Sequence, residues 1–80
     1  MGAINVIVTY GSGRGQKGVR VVGEVGGFLG GMTSPVQTDS DGRAVVSWRS
    51  DVGTLAALYV GGRKHVGPFR SGQTYAFPAS

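Results

Sequence analysis

No cysteine occurs among the 80 residues, so neither a disulfide nor a thiolate metal site can staple this fold. Carboxylates are nearly as scarce: Glu24, Asp39, Asp41 and Asp51 are the whole set. A glycosidase-type pair needs two carboxyl groups facing each other across a groove. Here Asp39 and Asp41 share one turn sequence and Asp51 sits in another, so no such pair is visible. His65 is the single histidine, and one imidazole with no cysteine seldom assembles a metal centre. The serines lack a plausible His/Asp set to activate them. These absences argue against an enzyme and imply no cofactor and no metal. No apolar run approaches the ~18 residues of a membrane-spanning helix. Residues 4–8 are too short for the apolar core of a secretory signal, and no basic segment precedes them. Val6 stands where a myristoylation signal wants Ser or Thr. The expectation is a protein without a membrane span, either intracellular or a mature or excised domain.

Charge is sparse, at 15% of residues, and the net value of +4 comes from eight Lys and Arg against four acids. Arg14, Arg20, Arg43, Arg49, Arg63 and Arg70 are scattered along the chain. Nucleic-acid binders cluster such residues on one face with interleaved aromatics, so nucleic acid is the weakest of the candidate partners.

What the chain has in excess is glycine, 16 of 80 residues, against a usual share of about 7%. Each glycine inside a helix costs about 1 kcal/mol relative to alanine, which argues against a helical protein. A hydrophobic share of 40%, rich in valine, argues against disorder. Eighty residues allow a single domain spanning 1–80 with one core, burying roughly 60% of the unfolded surface. A core that thin, with no staple, calls for good packing, self-association or neighbouring domains of a longer chain.

Period-two alternation predicts seven short strands. Residues 3–10 put Ile4, Val6, Val8 and Tyr10 on one face. Residues 19–25 put Val19, Val21 and Val25 opposite Arg20, Val22 and Glu24, with Gly23 marking a bulge or a close neighbouring backbone. Residues 35–38 read as an edge strand because of Pro35. Residues 43–49 put Ala44, Val46 and Trp48 on the inner face. Residues 54–60 are apolar on both faces, as in a central strand covered on both sides. Residues 63–66 follow a Gly61-Gly62 hairpin turn. After a further turn over 67–72, residues 73–77 place Tyr75 and Phe77 together, and Pro78-Ala79-Ser80 read as a tail. Val6, Val8, Val21, Val46, Trp48, Leu58, Val60 and Tyr75 form the expected core. Seven strands with a turn every eight to twelve residues is the signature of an all-β sandwich or barrel.

The run Val36-Gln37-Thr38-Asp39-Ser40-Asp41-Gly42-Arg43-Ala44-Val45-Val46, followed by a second apolar strand and then Ser71-Gly72-Gln73-Thr74, resembles carboxypeptidase-regulatory-like and bacterial Ig-like modules. The T-D-x-D-G hairpin is the matching element and covers roughly a fifth of the chain. The resemblance implies a prealbumin-like (transthyretin-type) or Ig-like sandwich of about seven antiparallel strands. It also implies a non-catalytic accessory or adhesion-type role with no shared active site, and an extracytoplasmic location.

Three motifs invite chemistry and each has a plainer reading. Gly13-Arg14-Gly15-Gln16-Lys17-Gly18 matches G-x-G-x-x-G, but a dinucleotide site needs a helix to begin there, and Val19-Arg20-Val21-Val22 reads as a strand. A flexible hairpin loop is preferred, with Arg14, Lys17 and Arg20 able to hold an anion loosely. Asp39-Ser40-Asp41-Gly42 resembles the start of a calcium loop, yet Arg43 falls where a ligand should be and Ser50 where the bidentate Glu should be. A plain turn closed by the Asp39 side chain is preferred. Trp48 and Tyr59 could offer an aromatic platform to a sugar or a base, but Trp48 shares its face with Ala44 and Val46 and belongs to the core. The candidate interaction surface is the glycine-flanked loop holding Phe28, Leu29 and Met32. Its apolar residues either plug the end of the sandwich or project as a contact patch. The expected function is that of a structural or protein-interaction module that self-associates or contacts neighbouring domains. Carbohydrate binding is the alternative, and a small basic nucleic-acid-binding barrel the second.

Overall fold

The structure, a computed structural model, describes residues 2–26, 31–49 and 54–78. Seven strands follow one another: β1 (Gly2–Thr9), β2 (Arg20–Val25), β3 (Val36–Gln37), β4 (Arg43–Trp48), β5 (Thr54–Val60), β6 (Arg63–Arg70) and β7 (Thr74–Pro78). They form two sheets, one of order β4-β1-β7 and one of order β3-β2-β5-β6. The fold is all-β, a small sandwich with no helix among the described residues. Its pairs are antiparallel except β1 with β7, which run parallel. Phe28, Leu29, the expected turn over 50–53 and the last two residues of the tail lie outside the described residues.

Alternation does what period two demands. Ile4, Val6 and Val8 from β1 and Ala44, Val46 and Trp48 from β4 meet Val21 from β2 and Leu55, Leu58 and Val60 from β5 in one buried cluster, joined by Phe69 and Phe77. Gly23 is crowded by side chains and not by a neighbouring backbone: a Cβ there would fall 2.8 Å from Leu55 Cδ1 and 3.2 Å from Val46 Cγ1, and the bulge lies one residue on, between Glu24 and Val25. Seven of the eight expected core residues are buried. Tyr75 is partly buried against the cluster, its ring edge-on to Phe69 at 4.9 Å and 87°, while its hydroxyl accepts a hydrogen bond from Arg70 N at 2.8 Å. Tyr10 departs from its expected face and is 46% exposed, because the strand ends at Thr9 and a turn closes at once, with Gly13 N donating to Tyr10 O at 2.9 Å.

Five further expectations change. The turn at Asp39–Gly42 and the loop at 11–18 are not hairpins, since each joins strands of different sheets; β1 spends both of its edges on β4 and β7, leaving none for β2. Strand β5 is central in its sheet, but it is covered on both sides only at Ala57 and Leu58, neighbours that are both buried. Its apolar character on both faces comes from register shifts around Ala56, which switch the inward parity from Leu55 to Leu58 and Val60 and leave Ala56 exposed. Strand β6 does not stop at Val66: it continues through a cis Gly67-Pro68 peptide to Arg70. The same shift swings Phe69 inward opposite Leu55. Pro78 closes β7 and is not tail. Gly61 and Gly62, at φ +58° and +86°, make the expected two-residue hairpin between β5 and β6.

Two buried threonines complete the edge of β2. Thr33 Oγ1 accepts from Gly23 N at 2.8 Å and Thr38 Oγ1 from Val19 N at 2.9 Å. Thr38 Oγ1 in turn donates to the Gln16 carbonyl. Side-chain oxygens thus stand in for ladder partners that the two-residue β3 is too short to supply, and buried amides stay satisfied.

Candidate interaction surface

The only expected surface residue among those described is Met32, and the chain around it is held firmly. Val25 N donates to Gly31 O at 2.7 Å and Thr33 N to Gly23 O at 2.8 Å, while Met32 itself bridges Glu24. Thr33 points inward, so Met32 points outward and is 57% exposed. It does not plug the sandwich. It stands on the outer face of the four-stranded sheet.

Register decides what else stands there. Val21–Val60 and Gly23–Leu58 are inward pairs, so Val22–Tyr59 and Glu24 face out, while Ala57, paired with Glu24, is covered and only 1% exposed. The same logic carries Tyr59 to Lys64 and Ala57 to Val66 across β6. One cross-strand row therefore reads Met32, Glu24, Ala57, Val66, and the next reads Val22, Tyr59, Lys64. Val66 is 79% exposed. Lys64 Nζ lies 6.0 Å from the centre of the Tyr59 ring, at the outer reach of a cation–π contact. A hollow of about 460 Å³ opens beside these rows, lined by Arg20, Val22, Met32, Thr33, Pro35 and Tyr59. Unbranched, polarizable methionine beside an aromatic ring adapts to varied apolar partners. Met32 was legible as an apolar residue among glycines. Tyr59 was legible only as a candidate platform beside Trp48, and Val22 and Val66 were not legible, because only the pairing of β2, β5 and β6 assembles them.

The other candidate groups are engaged locally. Three amides of the G-x-G-x-x-G loop are spent inside the protein: Gly13 N on Tyr10 O, Gln16 N on Val8 O and Gly18 N on Thr38 O, at 2.9 Å each. A strand follows them, so no helix N-terminus faces a phosphate. Arg14 and Lys17 line a polar cleft of about 640 Å³ with Tyr10, Ser12 and Ser40, whereas Arg20 stands elsewhere, on the outer sheet face. His65 is half-buried. Paired with Leu58, it turns inward and packs on Phe77 with ring centres 4.6 Å apart. Trp48 is 6% exposed, which removes it from any sugar platform. Among the described residues no group of three or more His, Cys, Asp or Glu is placed to hold a metal ion.

Asp39 closes its own turn. Its Oδ1 accepts from Asp41 N at 2.9 Å and from Arg43 N at 3.0 Å, and these two amides, that of Arg43 first, hold its carboxyl below the usual carboxylate range. A carboxyl whose pKa is lower folded than unfolded stabilises the fold above its unfolded value, about 3.9, and loses that contribution as pH falls through the folded value. The melting temperature of the native protein should therefore fall more steeply below about pH 4 than that of Asp39→Asn, which keeps an acceptor oxygen but cannot ionise. Parallel melting curves across that range check this; identical slopes would mean that Asp39 carries none of the acid sensitivity.

Compared with protein-family models, curated proteins and solved structures, the chain matches none.

Proposed function

We propose that this domain is a non-catalytic interaction module and that the outer face of its four-stranded sheet is the contact surface. One observation carries this: Met32 and Val66, 57% and 79% exposed, end a single cross-strand row beside Val22 and Tyr59. Exposed apolar groups gathered on one face mark contact sites, whereas scattered single ones need no explanation. Arg20 and Lys64 outnumber Glu24 on this face, so the fitting partner is a protein surface, free or in a neighbouring domain, that is apolar at its centre and acidic at its rim. The strand order favours the prealbumin-like half of the resemblance carried by the Thr38–Gly42 motif. An immunoglobulin domain pairs its first strand with its second, and here β1 lies between β4 and β7. That half also implies an accessory role.

A photo-crosslinking residue placed at Tyr59 or Met32 should capture a protein partner in cells, and one placed at Ser12, at the loop end of the sandwich, should not. The double variant Tyr59→Ala/Val66→Lys should lose the partner while keeping stability to within about 1 kcal/mol, as surface substitutions usually do. Retention of the partner by that variant would rule this face out. Chemical shifts at Tyr59 that move with a neutral oligosaccharide would favour carbohydrate binding instead. Shifts with single-stranded DNA that fade steeply with salt would favour nucleic acid.

A further inference from the structure

The sandwich has four sheet edges: β3 and β6 in the larger sheet, β4 and β7 in the smaller. Three of them carry features that discourage pairing. β3 is two residues long and follows Pro35. β6 contains Pro68 and the register shift opposite β5. β7 is five residues long and ends at Pro78, which has no amide to offer. β4 carries no such device between Arg43 and Trp48.

Backbone parity shows which of its groups are free. Val8 N donates to Gly42 O at 2.7 Å, so in the antiparallel register Ala44, Val46 and Trp48 aim their amides and carbonyls at β1. Arg43, Val45 and Ser47 aim theirs the other way. Arg43 is already engaged: its N–H donates to Asp39 Oδ1 at 3.0 Å and its carbonyl accepts from Asp39 N at 2.9 Å. Val45 and Ser47 face the other edge, where no strand pairs with β4 among the described residues. A hollow of about 700 Å³ takes in Val36, Gln37, Arg43 and Val45 and runs on across β1 and β7 as far as Ile7 and Thr74. The Val45 side chain is 56% exposed.

We propose that two copies of this chain pair antiparallel along β4, joining their three-stranded sheets into one of six strands. The edge is complementary to itself. An antiparallel pair has a two-fold axis, and with Ser47 on that axis each Val45 faces the partner's Arg49. In this register the outward groups of Val45, Ser47 and Arg49 bond in matched pairs, and no arginine opposes another. Centring the pair on Val46 would set Arg43 against the partner's Arg49, like charges directly opposite. Such an edge contact is smaller than the roughly 1,200–2,000 Å² of a standard stable interface, so the dimer is weak and reversible. It is independent of the outer face described above, which belongs to the other sheet.

Sedimentation equilibrium and amide exchange on the same samples test this. Between about 10 µM and about 1 mM the monomer should give way to dimer, and the Val45 and Ser47 amides should exchange at least about tenfold more slowly at the higher concentration. Val45→Pro keeps every β1–β4 hydrogen bond, since Val45 donates none to β1, and should abolish both effects. Val45→Lys should do the same by charge, and melting curves on dilute samples establish that each variant folds. A monomer at every concentration overturns the proposal. So does association that survives both substitutions, which would place the interface elsewhere.

Discussion

Trp48→Ala should destabilise the domain by about 3–5 kcal/mol, the usual cost of emptying a buried aromatic site, against a total of about 5–15 kcal/mol for a typical native protein. In a chain of 80 residues without a disulfide that is a large share of the total. The indole fills the end of the sandwich where Gly2 of β1 pairs with it, and a Cβ on Gly2 would fall 2.3 Å from the ring. Chemical denaturation, followed by circular dichroism because the variant has no tryptophan, measures the loss. A Trp48→Ala protein with an unchanged midpoint would put the indole on the surface and revive its role as a ligand platform.

The second large effect belongs to Gly42. Its φ of +77° strains any residue with a Cβ, and a Cβ there would sit 2.3 Å from Val8 O and 2.8 Å from Gln16 N. Both neighbours are backbone atoms held by their own hydrogen bonds, so they cannot yield as a flexible side chain would. Gly42→Ala should cost more than about 3 kcal/mol, combining left-handed strain with a core-like overpacking term. Gly72→Ala shares the positive φ, +86°, but opens onto free space, and should cost only about 1 kcal/mol. The difference between the two midpoints isolates the packing of the Asp39–Gly42 turn on the 11–18 loop. Equal costs would mean that the two loops do not touch.

That contact illustrates where reading the sequence stops. Alternation in Ile4-Val6-Val8 and Ala44-Val46-Trp48 locates strands and their buried faces, because a period of two is a local property of the chain. It does not name a strand's partner. Nothing local in residues 11–18 distinguishes a hairpin from a crossing between sheets; the answer lies in β1 having both edges occupied by β4 and β7. Likewise the double-sided apolar pattern of β5 fits a strand buried on both faces as well as one whose parity switches at Ala56. Only the shifted pairing with β2 and β6 separates the two. The contact surface follows the same rule. Met32 was visible because apolar residues among glycines are conspicuous, but Tyr59 and Val66 become its neighbours only through registers spanning three strands. The placement of Phe28 and Leu29 lies outside the described residues, so the surface rests on Met32, Val22, Tyr59 and Val66.

The central claim is that one apolar set is locked inside the sandwich while another is displayed on the outer face of the larger sheet. Broadening of proton signals by a soluble paramagnetic probe reads both at once. The Met32 and Val66 methyl groups should broaden strongly and Tyr59 partially, while the Trp48 indole and the methyls of Val6, Val46 and Leu58 stay sharp. A broadened Trp48 indole together with sharp Met32 and Val66 methyls would contradict the account, because the buried and displayed sets would then be exchanged.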